Sequence, residues 1–163
     1  MPAEPTRFYW DAGLFTSYIN QEPNRMGTLT QLFDECERSG GAIEIVTSFI
    51  SITEVAYALT EQQKRALNDE EQTKIETLWL PESPIKLVEV YRHVVEEGRD
   101  LIREAMTKKW RLQAADAIHL ASAKQKKAVE VFTYDDRLHK FSEIIGMPVR
   151  EPYTSSPRMD LGV

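Results

Sequence analysis

Short β-branched and aromatic runs alternate along this chain with stretches long enough to be helices, and that alternation limits the fold most. The strand candidates are residues 7–11 (Arg-Phe-Tyr-Trp-Asp), 42–47 (Ala-Ile-Glu-Ile-Val-Thr), 86–90 (Lys-Leu-Val-Glu-Val), 129–133 (Val-Glu-Val-Phe-Thr) and a last one near 148–150. Between them, Leu14, Phe15, Tyr18 and Ile19 share one face of a helix over 12–20. A second helix is predicted over 28–38, ending at Gly40-Gly41, with Pro23 and Gly27 punctuating the stretch before it. A third starts at Ser48 or Ser51 and reaches about Ala58; the charged residues 61–77 read as solvated helix. Apolar positions from Tyr91 to Met106 recur at helical spacing interrupted by Gly98, followed by helices over 112–126 and 138–144. Strands alternating with helices predict an α/β fold, a parallel sheet covered on both faces. Residues 1–150 read as one domain, and 151–163, which lack periodicity, as a loosely ordered tail.

Composition removes several classes. A chain of 163 residues, 42% hydrophobic and 28% charged, is neither disordered nor fibrous and can bury a core. No apolar run approaches the ~20 residues of a membrane helix, and the first residues do not resemble a secretory signal. The single cysteine, Cys36, allows no intrachain disulfide and fits a reducing cytoplasm. With 20 basic against 26 acidic side chains, the net charge of −6 argues against nucleic-acid binding by bulk charge.

Four of the acids stand in unusual places. Asp11 ends the first strand, where it also suits a helix N-cap. Glu54 shares a helix face with Ile50, Tyr57 and Ala58, so a carboxylate lies on an apolar stripe and needs a partner or a proton. Asp116 lies with Leu112, His119 and Leu120 on a face expected to pack, or serves as a first-turn acid. Asp135 follows the fourth strand, as a turn residue or a site residue, with Asp136 beside it. The carboxyl edge of an open α/β sheet is where ligand sites form. Carboxylates gathered there repel one another unless a cation binds, and hard oxygens select Mg²⁺ or Mn²⁺. His93, His119 and His139 are scattered without zinc spacing, and no phosphate loop or nucleophile elbow is present.

At these residues the chain resembles the PIN-domain ribonucleases and, among them, the VapC-like toxins of bacterial toxin–antitoxin pairs. The blocks that carry the resemblance are Tyr-Trp-Asp-Ala-Gly-Leu, the Glu54 helix, Ala-Asp-Ala-Ile-His-Leu-Ala-Ser-Ala, and Val-Phe-Thr-Tyr-Asp-Asp-Arg-Leu followed by Gly-Met-Pro-Val. It implies a three-layer α/β/α domain with a mostly parallel central sheet of four to five strands. It also implies an acidic quartet of Asp11, Glu54, Asp116 and Asp135 holding Mg²⁺ or Mn²⁺, with the Thr133 hydroxyl ordering the site. The family often carries Ser, Thr or Asn just after its first acid; here Ala12 and Gly13 stand there, removing a candidate hydroxyl.

The expected activity is metal-dependent hydrolysis of RNA phosphodiesters, leaving a 5′-phosphate and a 3′-hydroxyl by family analogy, with no covalent nucleophile. Basic residues cluster at Arg99–Arg111, Lys124–Lys127 and Arg137–Lys140, as phosphate contacts or as solvated helix faces. His119 reads as a packed core residue, or as one that orients Asp116. The resemblance implies a homodimer held inactive by a small antitoxin. The alternatives are a PIN-type nuclease without an antitoxin, a catalytically inactive PIN-like binding module favoured by Ala12-Gly13, and an acid-rich phosphatase, which expects an Asp-x-Asp pair that Asp11-Ala12-Gly13 lacks.

Overall fold

The computed structural model describes residues 3–63 and 66–154. In chain order the elements are β1 (Thr6–Trp10), α1 (Ala12–Ile19), α2 (Pro23–Arg38), β2 (Ile43–Ser48), α3 (Ile50–Gln63), α4 (Asp69–Leu78), β3 (Ile85–Val88), α5 (Arg92–Thr107), α6 (Ala114–Gln125), β4 (Glu130–Phe132), a 3-10 helix (Asp136–Phe141), α7 (Ser142–Ile145) and β5 (Val149–Arg150). The five strands form one sheet in the order β3-β2-β1-β4-β5, every pairing parallel. Among the described residues no helix is long and apolar enough to cross a membrane.

Side-chain alternation builds two cores from one sheet. Tyr9, Val46, Val88 and Val131 face a core shared with α5, α6 and α7. Trp10, Ile45, Ile85 and Phe132 face the opposite core, with α1 to α4. In that second core the Trp10 indole meets the Phe15 and Phe33 rings at centroid distances of 5.4 and 5.1 Å. This is the expected three-layer α/β/α architecture, with helices on both faces because a parallel sheet must be buried on both.

Three local expectations need correction, each for a physical reason. Helix α2 begins at Pro23, five residues before the predicted start, because proline suits the first turn, where its missing N–H costs nothing. The charged stretch is not one solvated helix: Asn68 and Glu71 form a reciprocal capping box that starts α4 afresh, and Ile75 and Leu78 are buried. Gly98 does not interrupt α5, which runs through it; a Cβ there would lie 3.4 Å from the Ala117 carbonyl oxygen of α6. The Tyr153 hydroxyl donates to Glu130 over 2.6 Å; residues 155–163 of the predicted loose tail lie outside the described residues.

Two of the helical glycines, Gly27 and Gly98, predict opposite signs. Gly27 meets nothing within 4 Å, so Gly27→Ala should raise unfolding stability by up to about 1 kcal/mol, read by urea denaturation. Gly98→Leu should lower it by about 1–3 kcal/mol by forcing α5 from α6.

Candidate functional site

In sequence order the chain lays down β1, β2 and β3 toward one side of the sheet, then returns to place β4 and β5 on the other. The carboxyl ends of β1 and β4 therefore border a topological switch point, the place where such sheets open a crevice. Asp11 follows β1, Thr133 and Asp135 follow β4, Glu54 lies in the first turns of α3 after β2, and Asp116 lies in the first turn of α6.

Asp11 precedes α1 in the N-cap position, yet its side chain makes no capping bond. The Thr133 hydroxyl donates to Asp11 Oδ2 instead, and accepts the Asp135 backbone N–H at 3.0 Å. One hydroxyl thus sets two acids. Asp11 Oδ1 is shut off from solvent and has no hydrogen-bond partner. Burial pushes the Asp11 carboxyl well above its ordinary value, against the Thr133 bond, with the Asp116 charge adding to the rise. Asp116 is raised as well, first by burial and then by the charges of Asp135 and Glu54, with His119 opposing.

The other two acids are differently held. Asp135 accepts the Arg137 backbone N–H at 3.0 Å, as a turn residue does, and its two oxygens take a bidentate Arg137 guanidinium at 2.9 and 2.7 Å. Those bonds hold its carboxyl below the usual range. The Arg137 side chain is 77% exposed, so this pairing is weak and easily exchanged. Glu54 is not on a packed stripe: Tyr57, one turn on, is 69% exposed. Its Oε1 takes a bond from His119 Nε2 at 2.5 Å. His119 thus meets Glu54 rather than Asp116. No group of three or more His, Cys, Asp or Glu side chains among the described residues is close enough to hold a metal ion as it stands.

The fit to a divalent cation rests on Asp11. Its Oδ1 is a buried carboxylate oxygen with no hydrogen-bond partner among the described residues, and a Cβ on Gly13 would lie 3.3 Å from it. A side chain at position 13 would therefore crowd that oxygen. All the donors are hard carboxylate oxygens, and Mg²⁺ commonly binds through one or two carboxylates while keeping waters.

Two hollows adjoin the acids. One, of about 160 Å³, is lined by Asp116, Asp135, Arg111, Arg137, Lys140 and Gln113. The other, of about 370 Å³, is lined by Gly13, Ser17, Arg25, Glu54 and Tyr57 among others. Most of the other basic residues are paired away from the site: Arg99 and Arg103 with Asp100, Lys108 with Glu143, Lys124 with Glu97. Sequence reasoning missed the Arg137–Asp135 pair, the role of Gly13 and the involvement of Tyr9; only the position of Tyr9, two residues before Asp11, hinted at the last.

The PIN domain profile matches residues 9–144, and the chain belongs to that family. No curated protein matches it by sequence. Among solved structures, it is similar to VapBC2 from Rickettsia felis, bound to a DNA fragment from their promoter, at 15% identity and a TM-score of 0.69, covering 91% of this chain and 100% of that one. It is also similar to the Mycobacterium tuberculosis toxin VapC20, described as cleaving the sarcin-ricin loop (14% identity, TM-score 0.60, 79% and 90% covered). FitAcB from Neisseria gonorrhoeae gives 16% identity, a TM-score of 0.61, and 89% and 97% covered. The likeness to all three is one of fold.

The raised Asp11 carboxyl sets a pH signature. Its folded value lies above its unfolded one, so the stability it contributes is present below the unfolded value and lost as pH rises through the folded one. Without divalent metal, Asp11→Asn should therefore melt above the wild type at pH 7, and the gap should shrink toward pH 4; a constant gap across that range would contradict the assignment.

Proposed function

We propose that this chain is a Mg²⁺- or Mn²⁺-dependent endoribonuclease and the toxin of a toxin–antitoxin pair. The observation that carries the reading is the pair Asp11 and Asp116: two carboxylates raised first by burial, Asp11 further by the Asp116 charge and Asp116 by those of Asp135 and Glu54, at the switch-point edge, neither in an ion pair among the described residues. Such a pair is costly in a scaffold and useful in a cation site.

Asp11 and Asp116 would hold the cation, with Glu54 and Asp135 as further ligands. When bound, the cation acidifies water and offsets the negative charge that builds on the phosphate. The chain's own residues do the rest. Thr133 keeps Asp11 and the backbone at Asp135 in one arrangement. Arg137, released from Asp135, is within the same hollow as Arg111 and Lys140, and these cations offset phosphate charge where the net charge of −6 would repel it. On the other side, Arg25 and the exposed Tyr57 line the hollow beside Glu54, a polar and aromatic surface suited to single-stranded nucleic acid.

RNA as the substrate is supported by the description of the Mycobacterium tuberculosis toxin, and an antitoxin by the Rickettsia felis pair and by a Klebsiella pneumoniae toxin–antitoxin complex (19% identity, TM-score 0.56). A homodimer and a cytoplasmic location complete the proposal.

Partner-free protein incubated with RNA should cleave it with Mn²⁺ and stop with EDTA. Asp116→Asn should cut the rate by more than the roughly 10- to 100-fold that loss of an outer partner costs. Metal-independent cleavage, or cleavage that survives both Asp11→Asn and Asp116→Asn, would overturn the reading. Absence of any cleavage would favour the inactive binding module, which Ala12-Gly13 and the Arg137-bound Asp135 favour.

A further inference from the structure

A string of hydrogen bonds, buried at its sheet end, runs from the sheet to Glu54. The Ser48 backbone N lies 3.0 Å from the Tyr9 hydroxyl oxygen, that oxygen 2.6 Å from His119 Nδ1, and His119 Nε2 2.5 Å from Glu54 Oε1. Tyr9 is 0% exposed and His119 3%, so water does not compete at the Tyr9–His119 bond.

Counting donors gives the string one consistent direction. An amide N–H only donates, so the Tyr9 oxygen accepts from Ser48. The phenol has one proton of its own, and His119 Nδ1 is the close acceptor. The nearby Thr47 hydroxyl spends its proton on the Trp10 carbonyl oxygen at 2.7 Å. With an ionised Glu54 and a neutral imidazole, Nδ1 is the lone-pair nitrogen, Nε2 carries the ring proton, and that proton is given to Glu54. Every donor points toward the acid.

The consequence is positional. Glu54 is a long side chain on α3, one-third exposed and free to rotate unless held. His119 stands three residues after Asp116 on α6, so the two share a helix face. The imidazole therefore fixes Glu54 relative to the helix that carries Asp116, while Tyr9 fixes the imidazole relative to β1, which carries Asp11. We propose that Tyr9 and His119 are positioning residues that hold Glu54 by one oxygen and leave the other for a divalent cation or for substrate. This inference rests on the nuclease reading for its effect on activity, but not for its effect on metal binding or on the imidazole.

The test uses the full chain in three arms. In ¹⁵N-histidine-labelled protein at pH 7, long-range NMR should show His119 with a lone-pair Nδ1 and a protonated Nε2; the opposite tautomer, or an imidazolium, overturns the proposal. In titrations with Mn²⁺ alone, followed by electron paramagnetic resonance, His119→Phe should weaken binding about 10- to 100-fold, the range typical of lost outer-shell partners. His119→Gln, whose amide can still donate to Glu54, should recover part of that loss. In RNA cleavage, the same pair should show a fall in kcat at unchanged KM and its partial recovery. Wild-type metal affinity in a folded His119→Phe overturns the proposal. If circular dichroism shows that variant unfolded, Tyr9→Phe, which keeps the ring and loses only the hydroxyl, decides: weakened Mn²⁺ binding supports the string, and unchanged binding overturns it. If the wild type fails to cut RNA, the nuclease reading falls alone, and the NMR and Mn²⁺ arms still judge the positioning.

Discussion

A carboxylate that is buried without a positive partner costs a folded protein stability, and the arrangement around Asp11 is organised by that cost. The strand before it contributes Tyr9 to one core and Trp10 to the other, both wholly buried, so Asp11 has little freedom to swing away. One of its oxygens is bonded by Thr133, and the other has no hydrogen-bond partner among the described residues. Sheet order then brings β4 beside β1, so that Thr133 and Asp135 arrive at the same edge.

The four acids divide by how they are balanced. Asp11 and Asp116 lack a cation and are raised; Asp135 is lowered by an exposed arginine; Glu54 is bonded to a buried histidine. The two kinds of balance differ in consequence. A surface guanidinium can leave at little cost, whereas a buried imidazole bonded on both sides is part of the scaffold. The site thus combines a fixed half, around Tyr9, His119 and Glu54, with an exchangeable half at Asp135 and Arg137.

Much of this was legible from residue order. The strand runs around Tyr9, Val46 and Val131 announced a parallel sheet, because β-branched and aromatic runs between helical stretches have few other solutions. The acids after β1 and β4 were legible because strand ends are where this fold builds sites. What the sequence hid was partnership. Nothing in the spacing of Tyr9, Ser48, Glu54 and His119 shows that they meet, since their separations are set by sheet order and helix packing. The exposure of Tyr57 was misread because an apolar stripe on a helix looks the same whether it packs or lines a groove. The restart of the chain at Asn68 was missed because charge density, which favours one solvated helix, outweighed the capping pattern Asn-Asp-Glu-Glu.

The account's central claim is that Asp11 awaits a divalent cation, and ligand-linked melting tests it most directly. Mn²⁺ at 100 times its Kd should stabilise the wild type by about 2.7 kcal/mol. In a chain of this size that is worth roughly 2–4 °C in Tm for each kcal/mol. Asp11→Asn should show almost none of that rise. An equal rise in both proteins, or none in either, would mean that the buried oxygen is not a metal ligand.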